Sequence, residues 1–218
     1  MFAVFIVGSA GSGKTMLSHD LVLHLQGNLK RSTSLYNLDP GVKETPATFS
    51  ITDHTSTASV MEEYELGPNG GVIRCVHDAL PSLLLEIEQV STEWCIVDVP
   101  GQIELFTNYN YINDLADKFV SCGYTVVIVL VTAGASMLSK TSLVSGIVTS
   151  TATRAKLEFP FFNYVSQCTP EVEQAIEDLE KDTSCPFQTK LVEFIQETNF
   201  GFSLVDVEEL VLLIDQLE

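Results

Sequence analysis

The residues richest in chemistry lie near the start of the chain, in Gly8-Ser9-Ala10-Gly11-Ser12-Gly13-Lys14-Thr15. Glycines at this spacing let successive backbone N–H groups close around a phosphate. The lysine can bridge β- and γ-oxygens, and the threonine hydroxyl can ligate Mg²⁺. Gly11, Ser12, Gly13, Lys14, Thr15 and Met16 are therefore the expected nucleotide-binding residues. A chance glycine-rich turn would need neither the Lys-Thr pair, nor the apolar run before it and the amphipathic stretch behind it. A second constellation, Asp98-Val99-Pro100-Gly101-Gln102-Ile103-Glu104, follows another apolar run. A carboxylate at the end of such a strand faces the ligand crevice of an α/β sheet. Asp98 is expected to hold Mg²⁺ together with Thr15, and Gly101 to let the backbone turn toward a γ-phosphate. Gln102 and Glu104 are placed to orient or deprotonate an attacking water. Asp39, in Asn37-Leu38-Asp39-Pro40-Gly41, closes a further expected strand. It can reach the metal or the water, or simply make an Asp-Pro-Gly turn. Leu66-Gly67-Pro68-Asn69-Gly70-Gly71 reads as a rigid, exposed turn, with Pro restricting φ and the glycines free to take φ > 0.

These groups need elements to position them. Continuous apolar runs bounded by turn residues predict strands buried on both faces over 3–7, 94–97, 126–131, 161–165 and 202–205, and a further strand is expected over 34–38, where Pro40 prevents continuation. Leu17, Leu21 and Leu25 share one helical face after Lys14. Val207, Leu210, Val211, Ile214 and Leu217 share another at the far end, opened by Asp206, Glu208 and Glu209, where the helix dipole favours negative charge. Alternation of strand and helix predicts an α/β fold of three layers, a mostly parallel sheet with helices on both faces and right-handed crossovers. At 218 residues, with 45% hydrophobic and 18% charged, one domain over 1–218 is expected. The polar, Thr- and Ser-rich stretch 41–59 reads as a long loop with at most short helices.

Eleven Lys plus Arg against 29 Asp plus Glu give a formal charge of −18, which disfavours nucleic acid as a direct partner. A triphosphate in so acidic a chain needs local compensation from backbone N–H groups, Lys14 and a divalent cation, so Mg²⁺ is implied. The cysteines at 75, 95, 122, 168 and 185 form no C-x-x-C pair and read as reduced thiols of an intracellular protein. The apolar run 126–131 falls far short of the ~20 residues that cross a bilayer. Residues 2–7 lead straight into the glycine-rich loop, as a buried strand does and an export signal does not, so no membrane is expected as a partner. His19, His24, His54 and His77 show no metal-ligand spacing and read as packing or surface groups. The acidic stretch 171–182 reads as a solvated helix face.

The ordered set Gly8–Thr15, Asn37-Leu38-Asp39-Pro40, Gly67-Pro68-Asn69-Gly70-Gly71 and Asp98-x-Pro-Gly-Gln102-x-Glu104 resembles the GPN-loop GTPases, densely over residues 1–110 and more loosely beyond. The resemblance implies a homodimeric or pseudo-dimeric GTPase of the P-loop NTPase fold, binding GTP and GDP, whose partner is itself or a paralogue. It implies that the Gly-Pro-Asn loop reaches across the dimer, so that Asn69 acts in trans near the γ-phosphate or the released phosphate. It also implies a cytoplasmic protein, shuttling to the nucleus in a eukaryote, tied to RNA polymerase assembly factors.

Two positions depart from that pattern. Members carry Asn/Thr-Lys-x-Asp after the fifth strand, the Asp reading the guanine edge, where this chain has Ser166-Gln167-Cys168-Thr169. Ser166 and Thr169 are left as the base-site candidates. Losing a charge-assisted hydrogen bond forfeits roughly 1.5–3 kcal/mol, so guanine preference is expected to relax and ATP stays open as a ligand. Thr132 likewise stands where relatives end the fourth strand with Asp. A non-hydrolysing interaction protein held together by nucleotide is the second reading. A small-molecule kinase is the third, disfavoured because Arg31, Arg74 and Arg154 are too few for a phosphate-clamping lid.

Overall fold

The structure, a computed structural model, describes residues 1–42, 46–102, 109–181, 190 and 202–217. Among the described residues seven strands, β1 (Phe2–Gly8), β2 (Thr33–Asn37), β3 (Phe49–Ser50), β4 (Trp94–Asp98), β5 (Thr125–Ala133), β6 (Phe161–Ser166) and β7 (Phe202–Ser203), form one sheet in the order β3-β2-β4-β1-β5-β6-β7. Every pairing is parallel. The helices are α1 (Lys14–Leu23), α2 (Thr57–Tyr64), α3 (Pro68–Gln89), α4 (Tyr111–Ser121), α5 (Gly134–Met137), α6 (Lys140–Lys156), α7 (Pro170–Lys181) and α8 (Val207–Asp215). Among the described residues no helix is long and apolar enough to cross a membrane.

Alternate side chains of a strand point to opposite faces, and here both faces are covered. Phe2, Val4 and Ile6 pack with Leu17, Leu21 and Leu25 behind the phosphate loop and with Leu210, Val211 and Ile214 of α8. Ala3, Phe5 and Val7 pack on the other side with Cys75, Val76 and Leu83 of α3 and Leu115 and Phe119 of α4. Each large apolar side chain so buried contributes about 1.5–3 kcal/mol, which ties the strand carrying the glycine-rich loop firmly into two cores. The Asp206 side chain accepts a hydrogen bond from Glu209 N–H at 2.9 Å and so caps α8.

Two expectations need correction. The stretch 41–59 contains β3 and a 3₁₀ turn over Ile51–Asp53, and α2 begins at Thr57. The stretch 66–71 is not a free turn. Glu65 ends α2 in the left-handed conformation (φ 53), Gly67 is the N-cap of α3, and Pro68 takes its first position with Asn69, Gly70 and Gly71 completing the first turn. Proline suits that position because its fixed φ is helical and its missing N–H would have no partner there. A Cβ on Gly71 would sit 2.7 Å from Met61 Cγ, so the glycine lets α3 approach α2.

Candidate functional site

β4 lies between β1 and β2, and the register sets Ile6 and Asn37 on either side of Asp98. The carboxyl ends of the three strands therefore deliver the glycine-rich loop, Asp98 and Asp39 to one edge of the sheet, at the point where strand order reverses. The loop turns through Gly8, Gly11 and Gly13 at φ 147, 76 and 94, conformations that disfavour any side chain. Lys14 is 5% exposed, and its ammonium donates to the Ser9 carbonyl at 2.9 Å. Burial lowers the Lys14 pKa, while Asp98 and Asp39 pull it back up. All three charges therefore feel one another.

Asp98 is 2% exposed. Its pKa is pushed up to about 6 by burial, opposed by a hydrogen bond from Thr15 and by the Lys14 charge. Asp39 Oδ1 accepts from Gly41 N–H at 2.8 Å, and Asp39 N–H donates to Asn37 Oδ1 at 3.1 Å. Gly101 lies against the glycine-rich loop, since a Cβ there would sit 2.6 Å from Ala10 N and 3.0 Å from Lys14 Nζ. Five buried side-chain atoms among the described residues lack a hydrogen-bond partner, and Ser12 Oγ, Asp98 Oδ1 and Gln102 Oε1 are three of them. Each such group costs roughly 1–3 kcal/mol, so the unpartnered Ser12 and Asp98 atoms beside Lys14 mark a place able to receive polar ligands. Thr15 and Asp98 offer hard oxygen ligands. Mg²⁺ typically needs one or two protein oxygens beside those of a phosphate, so the pair fits it.

Asp98 titrates near 6 in the fold against 3.8 unperturbed, so the folded state holds the proton more tightly and stability falls as pH rises between those values. Asp98→Asn is expected to remove that fall and to stabilise the nucleotide-free protein at pH 7 by about 2–3 kcal/mol. Thermal melts from pH 4 to 8 check this; a variant less stable than wild type at pH 7 contradicts it.

The other expected residues fall as follows. Met16 is 51% exposed at the start of α1. Asn69 is exposed on the first turn of α3. Glu104 lies outside the described residues. Ser166 is buried, and its hydroxyl donates to the Ser12 carbonyl at 2.6 Å, bracing the phosphate loop against the end of β6. Thr169 is exposed, its carbonyl accepts from Val172 and Glu173 N–H, and its side chain hydrogen-bonds Glu171, so it starts α7. Asn37 is a residue whose role sequence reasoning missed. It is 1% exposed, and its amide donates to Ser50 Oγ at 3.2 Å while its Oδ1 holds the Asp39 turn. The signal available was a polar residue at the end of an otherwise buried strand.

A family model described as conserved hypothetical ATP binding protein matches residues 6–216. A GPN-loop GTPase 3 from Mycosarcoma maydis is 33% identical over 172 residues, 76% of this chain and 61% of that protein. Another GPN-loop GTPase 3, from Yarrowia lipolytica, is 31% identical over 170 residues, 75% of this chain and 62% of that protein. The chain belongs to the GPN-loop GTPase family. It spans about three fifths of the length of these curated relatives. The crystal structure of a GTPase in apo form from Pyrococcus abyssi superposes with a TM-score of 0.69 at 21% identity, covering 87% of this chain and 77% of that one, and confirms the three-layer fold.

Proposed function

We propose that this GPN-loop family member is a Mg²⁺-dependent nucleoside triphosphate hydrolase, with GTP the expected substrate, working as a dimeric switch in macromolecular assembly. The observation that carries the reading is the buried Lys14 beside the buried Asp98, whose Oδ1 has no partner among the described residues, with Ser12 Oγ of the same loop also unpartnered. Lys14 exchanges the Ser9 carbonyl for β- and γ-phosphate oxygens, and the loop N–H groups cradle the β-phosphate. Mg²⁺, when held by Thr15 and Asp98, supplies charge neutralisation on the β- and γ-oxygens. Gln102, with Asp39 or Glu104, orients the water for in-line attack on the γ-phosphate. The relatives' names support GTP, and the family resemblance supports a cytoplasmic dimer acting on RNA polymerase assembly. The missing guanine-reading Asp and the engaged side chains of Ser166 and Thr169 favour a second reading, a nucleotide-held interaction protein that does not hydrolyse. Single-turnover hydrolysis separates the two.

Base choice is expected to be weak. Neither Ser166, spent on the phosphate loop, nor Thr169, spent on α7, offers the two-point carboxylate that matches guanine. Competition between GTP and ATP is expected to show a preference below about 100-fold, equivalent to ~2.7 kcal/mol. A larger preference would mean that backbone groups read the base.

The dimer has its own test. Asn69 is exposed and makes no side-chain hydrogen bond among the described residues, as a group that serves a partner's site would be. Mixing Asn69→Ala and Gln102→Ala chains, each impaired alone, makes heterodimers with one doubly lesioned site and one intact site. Half the dimers are mixed and one of their two sites works, so turnover should recover to about a quarter of wild type. No recovery, with subunit exchange confirmed, would show that Asn69 serves its own subunit or none.

A further inference from the structure

A half-open cleft of about 410 Å³ opens between the end of β5 and α6, bordering the phosphate loop at Ser9. Hydroxyl side chains dominate its walls: Ser9 from the phosphate loop, Thr132 from β5, and Thr141, Ser142, Ser145 and Thr149 from α6. Among the described residues that line it, none is charged. Among the described lining residues an anion finds no cation, in a chain of net charge −18, and a metal ion finds no carboxylate. Helical hydroxyls can bond back to the carbonyl one turn earlier. Thr151 and Thr153 do so, donating to Ile147 and Thr149 carbonyls at 2.8 Å. Thr141 and Ser142 lie in the first turn of α6, with no carbonyl of that helix one turn earlier, and the hydroxyls of Ser145 and Thr149 make no such bond among the described residues. Gly146 sits on the same wall, and a Cβ there would meet nothing within 4 Å. Glycine in a helix interior costs about 1 kcal/mol relative to alanine, and here no close approach requires it.

We propose that this cleft binds a small uncharged polyhydroxy compound. Each ligand hydroxyl both donates and accepts, as each wall hydroxyl does, so the two sets pair without a charge on either side. The volume lies within the range of small-molecule sites. Saturation-transfer NMR and calorimetry with myo-inositol, glucose and glycerol test the site, with inorganic phosphate as the charged control. Wild-type protein is expected to bind at least one of the three at millimolar concentration and to show no binding of phosphate in this cleft. Gly146→Leu fills the open space and is expected to weaken polyol binding by at least about tenfold without lowering the melting temperature. Should that variant fail to fold, Ser145→Ala with Thr149→Val removes only hydroxyls and is expected to weaken binding to the same degree. Binding by none of the three polyols, or equal binding by wild type and the cleft variants, overturns the proposal.

Discussion

Lys14→Ala is expected to weaken triphosphate binding by at least about 100-fold, or ~2.7 kcal/mol, while leaving the fold intact. The size follows from what the ammonium contributes. Hydrogen bonds to charged groups are worth about 1.5–3 kcal/mol each, and Lys14 can make more than one to the β- and γ-phosphates. No other Lys or Arg is described within the phosphate loop, in a chain of net charge −18. The fold should survive because the side chain is a buried cation whose pKa is lowered by desolvation, so alanine removes a cost along with a contact. Calorimetry with non-hydrolysable GTP and ATP analogues, beside thermal melts, reads both halves. Unchanged affinity would contradict the placement of the triphosphate on this loop.

Gly101→Ala is expected to slow single-turnover hydrolysis by about 100-fold or more and to affect nucleotide affinity much less. The glycine is needed for space rather than for an unusual φ. Its would-be Cβ lies 2.6 Å from Ala10 N and 2.8 Å from Ala10 Cα, and these are backbone atoms of the phosphate loop that cannot swing aside. One methyl group therefore pushes the Pro100-Gly101-Gln102 segment off the loop and carries Gln102 away from the place where we propose it orients the water. Lys14 and the loop N–H groups stay where they are, so binding persists. Rates matching wild type, measured at saturating nucleotide, would show that this close approach plays no part in the reaction.

Most strands could be read from the sequence because burial on both faces leaves an unmistakable apolar run, as in Val126 to Val131 within β5. Lys14 and Asp98 could be read because their types fall at the ends of such runs, where an α/β sheet places its ligands. β3 could not. It is a two-residue strand that exists only through pairing of Phe49 and Ser50 with Tyr36 and Asn37, and a contact of that kind leaves no periodicity. The turn expected at Gly67–Gly71 failed for a related reason. Gly and Pro mark both a free turn and a helix start, and only the packing of α2 on α3 decides between them. Ser166 reaches Ser12 across 154 positions of sequence, a brace that depends on the strand order setting β6 beside β5 and β5 beside β1.

The central claim is that Lys14, Thr15, Asp98 and Gln102 act together on a triphosphate. Single-turnover hydrolysis of GTP and of ATP by the purified chain, with Mg²⁺ and again with the metal chelated, tests it most directly. The account predicts release of inorganic phosphate with Mg²⁺, loss of that release on chelation, and its restoration when Mg²⁺ is returned. No phosphate release above the uncatalysed rate for either nucleotide, from protein shown to bind it, would contradict the account and leave the chain a nucleotide-held interaction protein.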